Sequence, residues 1–163
     1  MDERVDPSSG ADAAGGSDRI SEMSHRGYQH LREERLSEAE KCFKEILDED
    51  PSNHYALVGM GDLSRKREDY PTAIEYYRKC LADTPDNNYA LFGLAESYRE
   101  THQYAQALEV WERYLRHDDS NVTVLTRVAD AYRKVRNYDR SKELYRRVLE
   151  LEPDNAYALI GLG

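Results

Sequence analysis

A fixed interval of 34 residues constrains the fold of this chain more than any other feature. The interval separates each of four marker residues from the next, namely Pro51, Pro85, Asp119 and Pro153. Between the markers, apolar residues recur at the spacing of two amphipathic helices. A period of this length with a helix pair in each unit is typical of a stacked array, in which no unit buries its apolar face alone. Function must therefore be sought on a surface that several repeats build.

Residues of one class return at the same place in every repeat when each repeat is numbered from 1 to 34. The repeats start at Ile20, His54, Asn88, Val122 and Ala156. Position 4 holds Met23, Leu57, Leu91, Leu125 and Leu159, and position 8 holds Gly27, Gly61, Ala95, Ala129 and Gly163. Position 24, in the second helix, holds Phe43, Tyr77, Trp111 and Tyr145. Small residues at position 8 let two helices approach closely, and large residues at positions 4 and 24 fill the space between them.

These positions resemble the pattern of the tetratricopeptide repeat family, which has a large residue at 4, Gly or Ala at 8 and an aromatic residue at 24. The resemblance covers Ile20 to Gly163. It implies an all-α, right-handed α-α superhelix, or solenoid, of helix-turn-helix repeats. The predicted repeats are 20–53, 54–87, 88–121 and 122–155, followed by a partial fifth at 156–163. Position 15 is often Gly in the family but here holds Glu34, Glu68, His102 and Arg136, which leaves the turn geometry open.

The two ends of the chain differ from the repeats. Residues 1–19 contain Gly, Ser and acidic residues with few apolar side chains, so we expect a disordered acidic leader. Asp18 is placed to cap the first helix. At the other end, Ala156–Gly163 is almost entirely apolar, whereas an array end normally needs a polar outer face. We therefore expect a fragment of a longer array, whose last segment frays or pairs with another molecule.

Charge narrows the class of partner. The chain has 32 acidic and 23 basic residues and a net charge of -9, which argues against nucleic acid or an anionic membrane. No apolar run approaches the roughly 20 residues that span a bilayer. The N-terminal stretch MDERVDPSSG lacks the basic and apolar regions of a secretory signal. We therefore expect a cytoplasmic protein.

No catalytic, cofactor or metal site is predicted. Cys42 and Cys80 fall at different repeat positions and are interpreted as buried packing thiols. The five histidines also occupy different repeat positions and form no metal-binding spacing. The sequence has neither a glycine-rich phosphate loop nor a nucleophile elbow. It therefore predicts a protein without enzymatic activity.

Positions 2, 5, 9 and 12 of the first helix resemble the concave wall on which this family grips extended peptides. Tyr89 and Phe92 lie off the packing stripe, and aromatic anchors supply much interface energy, so we interpret this row as a partner contact. Gly59, Gly93 and Gly161 at position 6 are expected to leave bare backbone beside it. The predicted contact residues are Tyr55, Val58, Asp62, Tyr89, Phe92, Glu96, Arg99, Arg127, Asp130, Tyr157 and Ile160.

The charged residues of this row have a second interpretation. An acidic residue at position 9 lies three residues before an arginine at position 12, the spacing of ion pairs on solvated helices that contribute about 0.2–0.5 kcal/mol each. The pairs are Asp62 with Arg65, Glu96 with Arg99, and Asp130 with Arg133. The two-carboxylate clamp with which some relatives hold chaperone tails has only Arg127 at a matching place, so that ligand is not expected.

The sequence predicts a non-enzymatic scaffold that binds a peptide segment of a partner protein in the concave groove. We expect that segment to carry apolar anchors, with some basic residues to meet Asp62, Glu96 and Asp130, and to bind with roughly micromolar affinity. Two alternatives stay open. In one, the apolar end Ala156–Gly163 drives self-association into a homo-oligomer. In the other, the array targets a catalytic domain that lies beyond Gly163.

Overall fold

The computed structural model of the protein describes residues 18–163, which form nine α-helices. They are α1 (Asp18–Arg32), α2 (Leu36–Glu49), α3 (His54–Lys66), α4 (Tyr70–Asp83), α5 (Asn88–Glu100), α6 (Tyr104–His117), α7 (Val122–Lys134), α8 (Tyr138–Leu151) and α9 (Ala156–Leu162). The all-α repeat solenoid is confirmed. The predicted leader spans residues 1–19, and residues 1–17 of it lie outside the described residues. Asp18, the expected cap, is instead the first residue of α1.

The chain divides into two units, the first ending at Ser97 and the second being Tyr98–Gly163. In the described part of unit 1, α2 packs against α1 and α3, α3 packs against α4, and α1 also contacts α3. In unit 2, α7 packs against α6 and α8, and α9 contacts both α7 and α8. Each unit therefore contains a first helix that touches its own second helix and the first helix of the neighbouring repeat.

An asparagine at position 34 starts the first helix of the next repeat. Its side-chain oxygen accepts a hydrogen bond from the backbone N–H three residues later, which satisfies one free donor of the helix N-terminus. The four residues are Asn53, Asn87, Asn121 and Asn155, with N···O distances of 3.0, 3.0, 3.2 and 3.0 Å. Because of these caps, α3, α5, α7 and α9 begin at the first residue of a predicted repeat.

The turn inside each helix pair is a Schellman motif with a left-handed residue at position 15. That residue has a φ of 59° at Glu34, Glu68 and His102 and of 65° at Arg136. The next backbone N–H donates to the carbonyl five residues earlier, at N···O distances of 2.8–2.9 Å. Glycine adopts such a φ freely, whereas a residue with a Cβ is strained there. The turn geometry that the sequence left open is thus the same in all four repeats.

Unit 1 is organised around the fully buried rings of Phe43 and Tyr77. A Cβ added at Gly27 or Gly59 would lie 2.6 or 2.5 Å from the Phe43 ring, so these glycines let α1 and α3 hold the ring between them. Gly93 lies against the ring of Tyr77 in the same way. The prediction that glycines at position 6 leave bare backbone for a ligand is therefore wrong, because aromatic rings of the chain itself cover them.

Unit 2 shows the same use of glycine and adds an ion-pair network. Gly161 lies against the ring of Tyr145. Arg140 Nη2 lies 3.1 Å from Glu112 Oε1, which also accepts a hydrogen bond from the Tyr132 hydroxyl at 2.8 Å. Burial, together with the Glu112 carboxylate, raises the pKa of Tyr132 to about 12. The three side chains come from α6, α7 and α8, so this network ties these helices together.

Candidate protein-interaction surface

In unit 1, position 5 of the predicted contact row belongs to the core. Val58 is fully buried and Phe92 is 4% exposed, with the Arg65 guanidinium 5.7 Å from the centre of the Phe92 ring. The expectation that this row lies outside the core is therefore wrong for these two residues. Burial is not limited to one stripe of these helices, since residues 56–64 of α3 and 90–97 of α5 are buried without interruption.

In unit 1, the residues at repeat position 2 are more accessible than those at position 5. Tyr55 and Tyr89 are half-buried. The backbone carbonyl of Tyr55 accepts a hydrogen bond from the buried Tyr28 hydroxyl at 2.6 Å, which fixes the start of α3. Glu96, at position 9, is 4% exposed. Of the predicted contact residues in unit 1, the two tyrosines therefore present the most surface to a partner.

The carboxylate of Asp62 is held inside unit 1. It is 7% exposed and accepts a hydrogen bond of 2.5 Å from the Tyr77 hydroxyl. Arg65 Nη2 lies 4.0 Å from the same oxygen, which is the predicted i, i+3 pairing. The carboxylate of this pair is buried, because the Tyr77 side chain reaches it from α4. Asp62 therefore links α3 and α4, the two helices of one repeat.

Unit 2 carries the largest exposed apolar side chains of the predicted row. Tyr157 is 74% exposed and Ile160 is 75% exposed, and both lie on α9. No residue of α9 is charged. Asn155 caps this helix, and α7 and α8 pack against it. The two exposed side chains therefore lie on a helix that is held in place by its neighbours.

The charged members of the row in unit 2 lie on α7 and at the end of α5. Arg127 and Asp130 are half-buried. Asp130 accepts a hydrogen bond of 2.5 Å from Arg133 Nη2 and lies 3.5 Å from Lys134 Nζ. The hydrogen bond to Asp130 raises the pKa of Arg133. Arg99, at the end of α5, lies 3.2 Å from the Glu100 carboxylate.

Comparison with known families decides what kind of protein this is. Three family models match the chain, at residues 26–88, 64–129 and 122–155, and each describes a tetratricopeptide repeat. Together they span residues 26–155. The chain belongs to the tetratricopeptide repeat family. Repeat proteins of this kind stack their helix pairs into extended concave binding surfaces, so the family is one of protein-interaction modules.

Solved structures share the tetratricopeptide repeat fold. A tetratricopeptide repeat protein from Parabacteroides merdae matches with a TM-score of 0.79 and 20% identity, over 89% of this chain and 58% of that chain. A structure of MamA matches with a TM-score of 0.79 and 16% identity, over 89% of this chain and 79% of that chain. The structure of MamA AMB-1 matches with a TM-score of 0.78 and 20% identity, over 88% of this chain and 79% of that chain. No curated protein sequence matches.

At identities of 16–20%, the similarity to these solved structures extends to the fold alone. The chain spans less than two thirds of the Parabacteroides merdae protein. The binding residues of this tetratricopeptide repeat protein must therefore be argued from its own surface.

The part of the chain from residue 18 onward gives no sign of a second kind of site. Within it, no three His, Cys, Asp or Glu side chains are grouped so that they could hold a metal ion. None of its helices is long and apolar enough to cross a membrane. Cys42 is half-buried and Cys80 is buried, both are free thiols, and burial raises the pKa of each.

Sequence reasoning missed one surface residue of unit 2 and left the exposure of another open. Lys134, at position 13, follows Arg127 by seven residues and therefore lies on the same stripe of α7, a spacing that could have revealed it. Leu159 lies in the apolar end segment Ala156–Gly163 and also at position 4 of the packing pattern of the family, and it is 53% exposed. The repeat pattern predicts an apolar residue at position 159, but it does not predict what fraction of that side chain is exposed.

Proposed function

We propose that the protein is a non-enzymatic scaffold that binds a peptide segment of a partner protein on the position 2 and 5 face of its first helices. The observation that carries this proposal is the exposure of Tyr157 and Ile160, at 74% and 75%, in a protein-interaction family. Covering such side chains removes apolar surface from water, which favours a partner contact. Tyr55 and Tyr89 offer the equivalent position 2 in unit 1.

The buried members of the predicted row have a different part in this proposal. Val58 and Phe92 support the surface rather than touch the partner, because the chain already covers them. Full burial of Tyr157 or Ile160 contributes about 1.5–3 kcal/mol each. Ordering a flexible peptide offsets much of such contact energy, so we expect roughly micromolar affinity, or about 8 kcal/mol.

Affinity capture from a lysate of the host tests the proposal with a matched control. The bait is the wild-type chain, beside a Tyr157→Ala, Ile160→Ala variant. The control is Val135→Ala, Tyr138→Ala, which also removes exposed apolar side chains, 44% and 53% exposed, but at the turn between α7 and α8. Circular dichroism checks that each bait is folded.

The proposal predicts a discrete set of proteins that the wild type and the control capture and the Tyr157→Ala, Ile160→Ala variant loses. Each captured protein should then yield a peptide segment that competes for binding. Capture that is equal for all three baits, or that is lost only in the Val135→Ala, Tyr138→Ala control, contradicts the proposed surface.

Self-association is a second candidate function, and the exposure of Leu159 favours it. This side chain is 53% exposed on α9 but lies outside the position 2 and 5 row. A Leu159→Glu variant therefore separates the two candidates. If α9 joins two copies, sedimentation shows a wild-type oligomer that this variant dissociates, while a bound peptide stays in place. A wild-type monomer at high concentration removes the second candidate.

The proposal includes a cytoplasmic location. Its support is that both cysteines, Cys42 and Cys80, are free, as is usual where thiols stay reduced. Imaging of a fluorescent fusion in the host tests this, and a signal confined to an oxidising compartment contradicts it.

A further inference from the structure

We infer that α9 is also a docking site for an amphipathic helix of a partner protein. That helix carries a small residue, an aromatic residue and a leucine on one side, one turn apart. It covers the side of α9 that holds Leu159 and Gly163. This surface is separate from the position 2 and 5 face, so the inference goes beyond the proposed function. The helix that covers the equivalent side of α3 indicates the chemistry of the partner.

The sequence and the surroundings of α9 match those of α3. The segment that starts at Tyr55 reads YALVGMG, and the segment that starts at Tyr157 reads YALIGLG. An asparagine, Asn53 or Asn155, caps each helix. Each also packs on the preceding helix pair, α3 on α1 and α2 and α9 on α7 and α8. The neighbours of α3 are therefore a guide to what α9 accepts.

Two aromatic rings lie against the glycines of α3. A Cβ added at Gly59 would lie 2.5 Å from the ring of Phe43, which belongs to the preceding helix α2. A Cβ added at Gly61 would lie 2.5 Å from the ring of Tyr77, which belongs to α4. One ring thus comes from the preceding repeat, and the other comes from the second helix of the same repeat.

Within residues 18–163, α9 has the first of these rings but not the second. Gly161 lies against the ring of Tyr145 from the preceding helix α8. Gly163 is the counterpart of Gly61, but a Cβ there would meet only backbone oxygens of α9 itself, at 3.4 and 3.6 Å. Leu159, on the same side one turn earlier, is 53% exposed. The other residues at position 4 are at most 7% exposed, namely Met23, Leu57, Leu91 and Leu125.

The buried side of α4 shows which residues fit such a surface. Ala73, Tyr77 and Leu81 follow one another at i, i+4 and i+8 and are 0%, 0% and 8% exposed. The Tyr77 hydroxyl donates to Asp62, whereas no residue of α9 is charged. A phenylalanine has no hydroxyl to satisfy, and Phe43 already fills the same position in the first repeat. The fit for α9 is therefore a helix with alanine, phenylalanine and leucine at these intervals.

A helix taken from the chain itself supplies the probe. It is a synthetic, fluorescently labelled peptide of residues 69–84, which are α4 with both of its caps, and it carries Tyr77→Phe. A lactam joins Glu75 to Lys79, which are exposed on α4 and four residues apart. This link holds the peptide as a helix and so reduces the ordering cost of binding. A second probe carries Tyr77→Ala and tests the need for the aromatic ring.

Fluorescence anisotropy measures the binding of each probe to the full chain under reducing conditions. The proteins are the wild type and a Leu159→Glu variant. The control is Val135→Glu, which places the same charge at another exposed apolar residue, 44% exposed, at the turn between α7 and α8. Circular dichroism checks that each protein is folded, and sedimentation gives its oligomeric state.

We expect the phenylalanine probe to bind the wild type saturably, with one probe per chain, and to bind Val135→Glu equally well. Leu159→Glu should weaken this binding at least about 10-fold, and so should the alanine in the second probe, because each removes apolar contact. The inference is overturned if the phenylalanine probe does not bind saturably, or if either change leaves its affinity the same.

A dimer that Leu159→Glu dissociates, and the probe does not, assigns this side of α9 to a second copy of the chain and also overturns the inference. Failure of the proposed function has a different signature. It appears as partner capture that does not depend on Tyr157 and Ile160, whatever the probe does.

Discussion

At the scale of single residues, Gly59 makes the clearest prediction. Its Cα lies under the Phe43 ring, where an added Cβ would meet ring carbons at 2.5 Å. Alanine would favour the helix by about 1 kcal/mol, but overpacking a close contact costs about 1–3 kcal/mol. We therefore expect Gly59→Ala to lower the free energy of unfolding in urea. Gly163→Ala is the control, because its Cβ would meet nothing closer than 3.4 Å. An unchanged midpoint for Gly59→Ala contradicts this packing.

His54 makes a prediction about pH. Burial lowers the pKa of His54 below its usual value of about 6.5, although the Asp50 carboxylate opposes the shift. Between these two pKa values the unfolded chain binds more protons than the folded one, so stability falls as the pH drops below about 6.5. Urea midpoints measured across this range should fall less steeply for His54→Gln than for the wild type. Parallel curves for the two proteins contradict the assigned burial.

The sequence predicts which residues share one side of a helix better than it predicts their exposure. The helical spacing places Val58 and Phe92 off the stripe at positions 4, 7 and 8, yet both are buried. The spacing does not reveal this burial, because burial depends on how several helices pack. The same limit applies to Leu159, which fits the packing stripe and is exposed. Periodicity describes one helix, whereas burial is a property of several.

At the scale of the helix pair, replacing the left-handed residue at position 15 by glycine should stabilise the fold. Glu68 has a φ of 59°, which glycine adopts without strain. We expect Glu68→Gly to raise the free energy of unfolding by about 0.5–1 kcal/mol, since it relieves that strain at some cost in chain entropy. Lys66→Gly, two residues earlier in the last turn of α3, should instead lower it by about 1 kcal/mol. Thermal unfolding of both variants checks this, and effects of the same sign would rule out a special role for position 15.

Helix starts are more predictable than helix ends in this chain. Asparagine at position 34 is a standard cap, and with Asn53, Asn87, Asn121 and Asn155 it recurs with the period of the repeat. The ends of the first helices lack their usual signal, because Glu, His and Arg stand where glycine is typical. There the backbone is set by the packing of the two helices on either side of the turn, which local sequence does not reveal.

At the scale of the whole molecule, net charge is an incomplete guide to the partner. The excess of acidic residues suggests a basic ligand, but two carboxylates of the predicted row already have donors. Asp62 and Asp130 accept hydrogen bonds within the chain, from Tyr77 and from Arg133. A carboxylate that has a donor in the fold is less available to a ligand. Fold and family were predictable from the 34-residue period, but the sign of the binding surface requires the side-chain contacts.

A photoreactive side chain on the position 2 and 5 face of the first helices reports directly whether a partner segment lies there. A photoreactive phenylalanine replaces Tyr157 in one protein and the exposed Tyr138 in a second, and each is irradiated with the captured partner. If the partner segment lies on this face, position 157 crosslinks to one short segment of the partner and position 138 gives no crosslink. Crosslinks from position 138 alone, or from neither position while the partner stays bound, would contradict it.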